Sequence, residues 1–287
     1  MRLGILPGDR SSCEDLAEKI LVPVQPRSRD SKYKRQTVRT NAVDILGIGA
    51  QKAATSWAHH VLNLQQNVWV PSKIALSGKE VNFWDRHYER GLKWYARVMT
   101  PPSEEKKSLD VSPSYARIGS GKIEQCRRQS PGARVFYMLR NPIYRDWSSL
   151  AMEATMRNKF DLANASFIDT MVYYDKENVA RFSAYKNGIR NWREQYGDQL
   201  LIGLYDDVVA DPHAFYEKLC AHCGLNPNDV EDWRAKISKR IFKGPDIALP
   251  PQMHEFLLKK YRPMVHDLEK MIDRDLSDWL AEDPKIK

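Results

Sequence analysis

The chain has 287 residues, of which 42% are apolar and 29% are charged, a composition typical of soluble globular proteins and unlike that of fibrous or disordered chains. Lysine and arginine number 45 against 37 acidic residues, which gives a net charge of +8. No apolar stretch approaches the ~18 residues of a membrane span, and no apolar leader precedes Asp9, so neither a span nor a secretory signal is expected. Four cysteines are too few for a disulfide framework, which favours a reducing, cytoplasmic location.

The first 42 residues differ in composition from the rest of the chain. They carry nine basic and five acidic residues, and so account for half of the net charge. Residues 25–40 also have few apolar side chains to bury. We therefore predict a basic N-terminal extension over residues 1–42 and a folded domain over residues 43–287. This composition favours an extension that is flexible or lies on the surface, and the alternative is an arm that contacts an anionic partner.

From residue 43 onward, strand, loop and helix alternate three times. Apolar runs predict buried strands at residues 43–48, 134–139 and 199–205. Helical stretches follow them at residues 55–64, from Tyr144, and at residues 212–223, where Gly224 supplies a cap. Two further helices are predicted at the C-terminal end, one from Pro251 to Lys260 and one from Arg262 to Ile272. This alternation predicts an α/β fold of three layers, with a central parallel sheet of four or five strands flanked by helices, as in P-loop-like proteins.

The turn after the first predicted strand has the chemistry of an anion site. Residues 47–57, which we call the phosphate loop, read GIGAQKAATSW. Small residues let backbone amides approach an anion, Lys52 adds a positive charge, and the start of a helix adds a favourable dipole. Two alanines separate Lys52 from Thr55, whereas a Walker A loop places its lysine directly before the hydroxyl residue that holds magnesium. Taken alone, the segment fits an ordinary surface turn about as well as an anion site.

A second candidate follows the strand at residues 134–139. Arg140 stands at the carboxyl end of that strand, where ligand sites of α/β proteins form, and its planar guanidinium suits a phosphate. Ser148 lies eight residues further on and offers a hydroxyl donor. Taken alone, these two residues would more often be a surface arginine and an ordinary helical serine.

Together, the two segments resemble the cofactor motifs of sulfotransferases that use 3′-phosphoadenosine 5′-phosphosulfate (PAPS). In that family the first loop holds the 5′-phosphosulfate, an Arg and a Ser hold the 3′-phosphate, and a tryptophan stacks on the adenine in the cytosolic members. A basic loop near the C-terminus closes over the nucleotide. The resemblance therefore implies a PAPS site made of Lys52, Ala53, Ala54, Thr55, Ser56, Trp57, Arg140, Ser148 and, in the closing loop, Lys243.

Two later segments resemble heparan-sulfate-type sulfotransferases and their soluble bacterial relatives. Residues 79–85, KEVNFWD, resemble a Lys-Glu-x-x-Phe-Phe block whose glutamate is the catalytic base, which implies that role for Glu80. Residues 110–115, DVSPSY, resemble a Glu-Lys-Thr/Ser-Pro-x-Tyr segment and make Asp110 a second catalytic candidate. From the residues alone, Glu80 would more often be a surface ion pair with Lys79 or Arg86.

The sequence departs from the family pattern at two places. Ala54 replaces the usual glycine of the phosphate loop, and we expect it to keep a negative φ, as the first turn of a helix would allow. Val111 replaces a lysine of the Glu-Lys-Thr/Ser-Pro segment, and Asp110 replaces its glutamate. The loss of that cation counts against an acidic glycosaminoglycan as the acceptor.

The reaction that the resemblance implies is in-line transfer of a sulfonate group from PAPS to a hydroxyl or an amine of a small molecule or carbohydrate. Such a transfer depends on positioning and on stabilising charge at the leaving oxygen, and it requires no metal ion. Lys52 would stabilise the leaving phosphate and Glu80 would remove the acceptor proton. The alternatives are a P-loop kinase or NTPase, and a nucleic-acid-binding module that uses the basic extension. The lysine spacing disfavours the first and the absence of a concentrated basic stripe disfavours the second.

Overall fold

A five-stranded sheet, parallel at every pair of neighbours, forms the centre of the structure. The computed structural model describes residues 41–71, 79–157, 160–238 and 247–281. The strands are β1 (Ile45–Gly49), β2 (Val68–Trp69), β3 (Lys107–Val111), β4 (Arg134–Leu139) and β5 (Leu200–Leu204). Their order across the sheet is β2-β3-β1-β4-β5, so β1 is the central strand. The predicted parallel α/β architecture is confirmed.

The central strands are continuous apolar runs because helices flank the sheet. All five residues of β1 are buried, and β4 is buried from Val135 to its end. A strand covered on both faces has no side that favours polar residues, which is why β1, β4 and β5 were predictable from their apolar runs. The sequence did not predict β3, because Lys107, Ser108 and Asp110 interrupt its apolar pattern. It also did not predict β2, which has only two residues.

Helices account for most of the remaining described residues. The α-helices are α1 (Thr55–Asn63), α2 (Phe83–Arg86), α3 (Leu92–Val98), α4 (Ser120–Gln129), α5 (Pro142–Arg157), α6 (Phe167–Lys176), α7 (Tyr185–Tyr196), α8 (Tyr205–Ala210), α9 (Pro212–Cys223), α10 (Trp233–Ile237) and α11 (Pro251–Ile272). Short 3₁₀ helices occupy Tyr88–Arg90, Pro113–Arg117, Val179–Phe182, Gly197–Gln199, Pro227–Asp229 and Ser277–Leu280. No helix of the described residues is long and apolar enough to cross a membrane.

The ends of α9 show how local sequence sets helix boundaries. The Asp211 carboxylate accepts the backbone N–H groups of His213 and Ala214, which have no acceptor inside the helix. At the other end Gly224 adopts a left-handed conformation with φ 63°, which costs glycine little. The sequence analysis predicted the Gly224 cap but not the Asp211 cap, and the bounds predicted for this helix are confirmed.

The two helices predicted at the C-terminal end form one continuous helix, so the predicted break near Arg262 is wrong. Pro263 lies inside α11. A proline lacks the N–H that would bond one turn back and therefore usually ends a helix. Here the buried side chains on both sides of the proline hold the helix against the core, and this packing outweighs the one lost hydrogen bond. These side chains are Met253, Leu257, Leu258, Tyr261, Val265 and Leu268.

The strand order places two of the predicted motifs at one edge of the sheet. The chain leaves β1 toward β2 and β3 on one side, and it leaves β4 toward β5 on the other. The carboxyl ends of β1 and β4 therefore flank a topological switch point, where parallel α/β proteins bind ligands. The phosphate loop extends from β1 and Arg140 directly follows β4. The end of β3, with Asp110, lies on the other side of β1.

The first described residues are bonded to the body of the protein. Asn41 accepts a hydrogen bond from the backbone N–H of Gly132 at 2.8 Å. The N–H of Ala42 donates to the carbonyl of Gln129 at 2.8 Å. Residues 1–40 lie outside the described part of the chain, so the N-terminal extension over residues 1–42 stays a prediction.

Candidate active site

The glycines of the phosphate loop allow close packing at the end of β1. A Cβ atom on Gly49 would lie 2.7 Å from the carbonyl oxygen of Pro113, and one on Gly47 would lie 2.5 Å from the ring of Phe136. Real Cβ atoms essentially never come this close to a non-bonded heavy atom, so a larger residue at either position would force its neighbours to move. The two glycines therefore let the neighbouring segments close around the base of the loop.

The middle of the phosphate loop alternates between left-handed and ordinary backbone. Lys52 has φ 68° and Ala54 has φ 62°, whereas Ala53 between them does not have a positive φ. Alternation of this kind is typical of backbone nests, which direct successive N–H groups toward an anion. The expectation of a negative φ at Ala54 is wrong, because α1 begins only at Thr55 and Ala54 precedes it in the left-handed region.

Lys52 and Arg140, predicted from separate motifs, are brought together. Nη1 of Arg140 donates to the carbonyl oxygen of Lys52 at 3.2 Å, and its guanidinium lies 4.5 Å from the ring centroid of Tyr205. Burial, followed by the positive charges of Arg140, Arg145 and Lys79, lowers the pKa of Lys52 to about 8. Burial also lowers the pKa of Arg140. The site therefore concentrates positive charge in a poorly solvated place.

Helix α5 lies against the phosphate loop and carries Ser148, which is half-buried. The ammonium of Lys52 is 3.9 Å from the Sδ atom of Met152. Ser148 precedes Met152 by four residues, so the two side chains share one face of α5. The hydroxyl of Ser149 donates to the side-chain oxygen of Gln51 at 3.2 Å. The structure thus places Ser148 on the helix face that meets Lys52.

Arg145 is a further cation at the site, which the sequence analysis missed. It lies one turn into α5 and its side chain is 0% exposed. Its Nε donates to the hydroxyl of Ser183 at 2.6 Å, and it pairs with Asp146. Its Nη1 has no hydrogen-bond partner among the described residues. An arginine one turn after Arg140 was the available signal, but its burial beside Lys52 was not visible in the sequence.

The structure places Trp57 differently from the adenine-stacking expectation. Its side chain is only 7% exposed, and its indole N–H donates to the carbonyl oxygen of Ile237 at 2.9 Å. Its ring lies 6.0 Å from that of Phe215. Trp57 therefore packs in the core, since almost none of its ring is accessible to a ligand. Lys243, predicted in the closing loop, lies outside the described residues.

The Lys79–Glu80 pair lies beside the phosphate loop. The ammonium of Lys79 donates to the hydroxyl of Ser56 at 2.9 Å and to that of Thr55 at 3.4 Å. It also lies 3.6 Å from a carboxylate oxygen of Glu80. The side chain of Lys79 is 12% exposed and that of Glu80 is 47% exposed. The expected ion pair exists, but it joins Glu80 to the anion site instead of standing alone on the surface.

Lys79 was considered in the sequence only as the ion-pair partner of Glu80, and its contact with Ser56 was missed. Burial lowers its pKa, and the carboxylate of Glu80 opposes this effect. The available signal was its position directly before the candidate base. Lys79 thus adds another positive charge beside the hydroxyls of the phosphate loop.

Asp110 is enclosed by hydroxyl groups. Its carboxylate is 1% exposed and accepts hydrogen bonds from Ser112 at 2.7 Å, Tyr115 at 2.9 Å and Tyr95 at 3.0 Å. Burial raises the pKa of Asp110 to about 6, although these hydrogen bonds oppose the shift. Both carboxylate oxygens are engaged and neither reaches solvent. This placement argues against the prediction that Asp110 is a catalytic carboxylate, because a base must touch the acceptor.

A sequence model of the sulfotransferase family matches residues 81–229, which is more than half of the chain. The chain belongs to the sulfotransferase family. It is 31% identical over 104 residues to human heparan sulfate glucosamine 3-O-sulfotransferase 6, and 30% identical over 104 residues to the mouse protein. Each match covers 36% of this chain and 28% of the relative, so the chain spans less than a third of those relatives.

The fold of this sulfotransferase has a solved counterpart. The crystal structure of a sulfotransferase from Alicyclobacillus acidocaldarius superimposes with a TM-score of 0.68 at 20% identity, covering 85% of this chain and 100% of that one. At this identity the likeness concerns the fold alone. The residues matched by the family begin at Val81, immediately after Glu80, and include Asp110, Arg140 and Ser148. The phosphate loop of this sulfotransferase precedes them, so its assignment depends on the motif and on the geometry described above.

Proposed function

We propose that this sulfotransferase transfers a sulfonate group from PAPS to a hydroxyl or an amine of a small-molecule or carbohydrate acceptor. The observation that carries the proposal is the cluster of four cations at the phosphate loop: Lys52, Lys79, Arg140 and Arg145. Two of the four pair with carboxylates, Lys79 with Glu80 and Arg145 with Asp146, so the cluster keeps a net positive charge in a poorly solvated place and favours an anion. PAPS offers a phosphosulfate at one end and a 3′-phosphate at the other.

The proposal assigns different site residues to the two ends of PAPS. The backbone N–H groups of the phosphate loop, with Lys52 and the Thr55 and Ser56 hydroxyls, would hold the phosphosulfate. Arg140 and Ser148 would hold the 3′-phosphate. The Nη1 of Arg145 has no hydrogen-bond partner in the described part of the chain, and this supports an anion nearby, because a buried guanidinium nitrogen without an acceptor is costly.

PAPS, when bound, supplies an activated sulfonate with a phosphate leaving group. Negative charge grows on the leaving oxygen during transfer, and Lys52 would stabilise that charge more strongly in the transition state than before it. Glu80 would take the proton of the acceptor. Its half-exposed carboxylate can meet an acceptor arriving from solvent, and Lys79 tethers it beside the phosphate loop. Asp110 has neither property.

The acceptor class and the cellular location are also proposals. The similarity to heparan sulfate glucosamine 3-O-sulfotransferase 6 favours a carbohydrate hydroxyl. Val111, where the related enzymes have a lysine, counts against a highly anionic chain. Cys126, Cys220 and Cys223 are free and buried, which supports a reducing cytoplasmic environment. Membership of the sulfotransferase family argues against a kinase or NTPase and against a nucleic-acid-binding module. No feature of the described residues favours either alternative.

The test compares 3′-phosphoadenosine 5′-phosphate (PAP), the desulfated product, with AMP, which lacks the 3′-phosphate. PAP should raise the Tm of the full chain strongly and AMP only weakly, because ligand binding stabilises the folded state by mass action. Arg140→Ala should remove most of this difference. Calorimetry measures both affinities directly. Equal affinity for PAP and AMP in the unmutated protein would contradict the assignment of Arg140 and Ser148.

Glu80→Gln is the matched variant for catalysis. It should bind PAP normally and lower PAP release from PAPS by roughly 10²–10⁴-fold, since glutamine has the same size but is no base. Release is measured with phenol and with a glucosamine-containing oligosaccharide as acceptors, because the hydroxyls of both stay protonated at neutral pH and therefore need a base. A surface ion pair would instead leave the rate unchanged. Normal turnover by Glu80→Gln would therefore remove Glu80 from the mechanism.

A further inference from the structure

The hydroxyls that surround Asp110 also contact the segment that carries Glu80. The Ser112 hydroxyl, which donates to Asp110, accepts the backbone N–H of Asn82 at 3.0 Å. The Tyr115 hydroxyl, which also donates to Asp110, accepts the backbone N–H of Phe83 at 2.8 Å. Two separate hydroxyl bridges thus link Asp110 to Asn82, which precedes α2, and to Phe83, the first residue of α2.

The direction of these hydrogen bonds depends on Asp110. A hydroxyl has one proton to donate and two lone pairs to accept with. An ionised carboxylate can only accept, so Ser112 and Tyr115 turn their protons toward Asp110. Their lone pairs then face the N–H groups of Asn82 and Phe83, which can only donate. A side-chain amide in place of the carboxylate would have to donate to one of the hydroxyls, and that hydroxyl would keep a proton without an acceptor.

The segment that receives these bonds has an unfavourable backbone. Glu80 has φ 65° and Asn82 has φ 50°, so two non-glycine residues close together adopt the left-handed conformation. Such residues persist only where surrounding contacts hold them. The N–H of Glu80 also donates to the carbonyl oxygen of Val111 at 3.1 Å, next to Asp110 on β3. The end of β3 and the residues after it therefore fix this loop at three successive points.

We propose that Asp110 is a positioning residue that acts through Ser112 and Tyr115. It holds residues 80–83 in the strained conformation that sets Glu80 beside Lys79 and the phosphate loop. This inference rests on the proposed role of Glu80 as the base. It assigns Asp110 no contact with the acceptor, which agrees with its enclosure.

Tyr95 provides a matched control for Tyr115. Both hydroxyls donate to the same carboxylate oxygen of Asp110, at 3.0 Å and 2.9 Å, and both side chains are fully buried. The Tyr115 hydroxyl also accepts the N–H of Phe83, whereas the bond shown for the Tyr95 hydroxyl goes to Asp110. Tyr95→Phe and Tyr115→Phe therefore remove the same group from the same carboxylate. Only Tyr115→Phe also removes the hydrogen bond to the N–H of Phe83 and so breaks a link to the segment that carries Glu80.

The experiment measures two quantities in the full chain. The first is PAP release from PAPS, with the acceptors named above and with water alone. The second is amide hydrogen exchange of the peptide covering residues 80–86, with PAP bound. Tyr115→Phe should lower turnover by roughly 10–10²-fold, because a displacement of about 1 Å of a catalytic group has an effect of this size. It should also speed exchange in this peptide. Tyr95→Phe should do neither, and both variants should bind PAP as the unmutated protein does.

The double variant Glu80→Gln/Tyr115→Phe separates positioning from a general loss of structure. If Tyr115 acts through Glu80, the double variant should be no slower than Glu80→Gln alone. A purely structural defect would add to the loss. Asp110→Asn should behave like Tyr115→Phe, and if it fails to fold, the tyrosine pair still decides the question.

Three results would contradict the proposals, and each identifies which proposal fails. Equal turnover of Tyr95→Phe and Tyr115→Phe would overturn the positioning role, whether or not exchange changes. Unchanged exchange over residues 80–86 in Tyr115→Phe would overturn it too. If Glu80→Gln itself retained normal turnover, the proposed base would fail instead, independently of the tyrosine variants.

Discussion

The charge of Lys52 depends strongly on its surroundings. Burial destabilises its protonated form, and three nearby cations add to this effect, which brings the pKa of Lys52 to about 8. A bound anion has the opposite influence and favours the protonated form. Binding of PAP should therefore be coupled to uptake of a proton by Lys52 at mildly alkaline pH.

This coupling predicts how PAP affinity depends on pH. Below about pH 8 Lys52 is charged in the free protein, and affinity should be highest there. As pH rises above that value, the free protein loses the charge and the dissociation constant should increase, by about tenfold for one charged hydrogen bond. Calorimetric titrations from pH 7 to pH 10 measure it.

Lys52→Arg is the control, because a guanidinium keeps its charge over this whole range. The variant should bind PAP with little dependence on pH, whatever its affinity at neutral pH. An equally steep loss of affinity in Lys52→Arg would show that another group causes the dependence.

Local motifs were enough to predict that Lys52 and Arg140 lie close together. Lys52 lies in the turn after β1 and Arg140 directly follows β4, and neighbouring parallel strands end at a common edge of the sheet. The contact of Lys79 with Ser56 could not be found, since it joins residues on different loops. The enclosure of Asp110 was also invisible, because its hydroxyl donors include Tyr95 from a separate helix.

At the level of elements, the junction between β1 and α1 carries measurable strain. Ala54 precedes α1 with φ 62°, in a conformation that costs an L-residue with a Cβ roughly 1–2 kcal/mol. Ala54→Gly should therefore raise the free energy of unfolding by about 1 kcal/mol, after allowing for the greater freedom of glycine in the unfolded chain. Urea denaturation of the full chain measures the change.

Ala53→Gly serves as the matched control one residue earlier. Ala53 is fully buried and has no positive φ, so glycine relieves nothing there. The variant should be less stable by about 1 kcal/mol, because it loses a buried methyl group and gains freedom in the unfolded state. If both variants were destabilised alike, the left-handed conformation at Ala54 would not be a source of strain.

The helices and strands that were predicted correctly are those whose sequence pattern is local. The apolar runs of β1, β4 and β5 and the Gly224 cap of α9 all lie within a few adjacent residues. Strand β3 was missed because the buried Asp110 is stabilised by side chains distant in the sequence, which no local pattern shows. Helix α11 was divided in error because the effect of Pro263 depends on how firmly the flanking turns pack.

Across the whole molecule, a buried ionic network joins elements that are distant in the chain. Arg145 and Asp146, adjacent in α5, are both fully buried. Asp146 accepts hydrogen bonds from Tyr174 of α6, Tyr261 of α11 and Ser183. Arg145 donates to Ser183 and to the carbonyl oxygen of Val179. One carboxylate thus connects three helices and a 3₁₀ segment.

Removal of that carboxylate should have a large effect on stability. Asp146→Ala leaves Arg145 as an uncompensated buried charge, which typically costs 3–5 kcal/mol, so we expect a loss of about that size. Tyr174→Phe, which removes one hydroxyl from the network, should cost only about 1 kcal/mol. Thermal and urea unfolding measure both. Similar losses in the two variants would show that Asp146 acts as an ordinary hydrogen-bond acceptor and not as a counter-charge.

The central position of β1 also has a consequence for how the chain is made. Ile45 pairs with Leu109 and with Arg134, so both neighbours of the central strand come from later parts of the sequence. Closing such long loops costs conformational entropy, which slows folding. During synthesis β1 also leaves the ribosome well before its partner strands. Until Leu139 has emerged, β1 lacks at least one of its two partner strands. Other chains can then pair with the exposed edge of β1. We expect incomplete or stalled chains to aggregate through this strand.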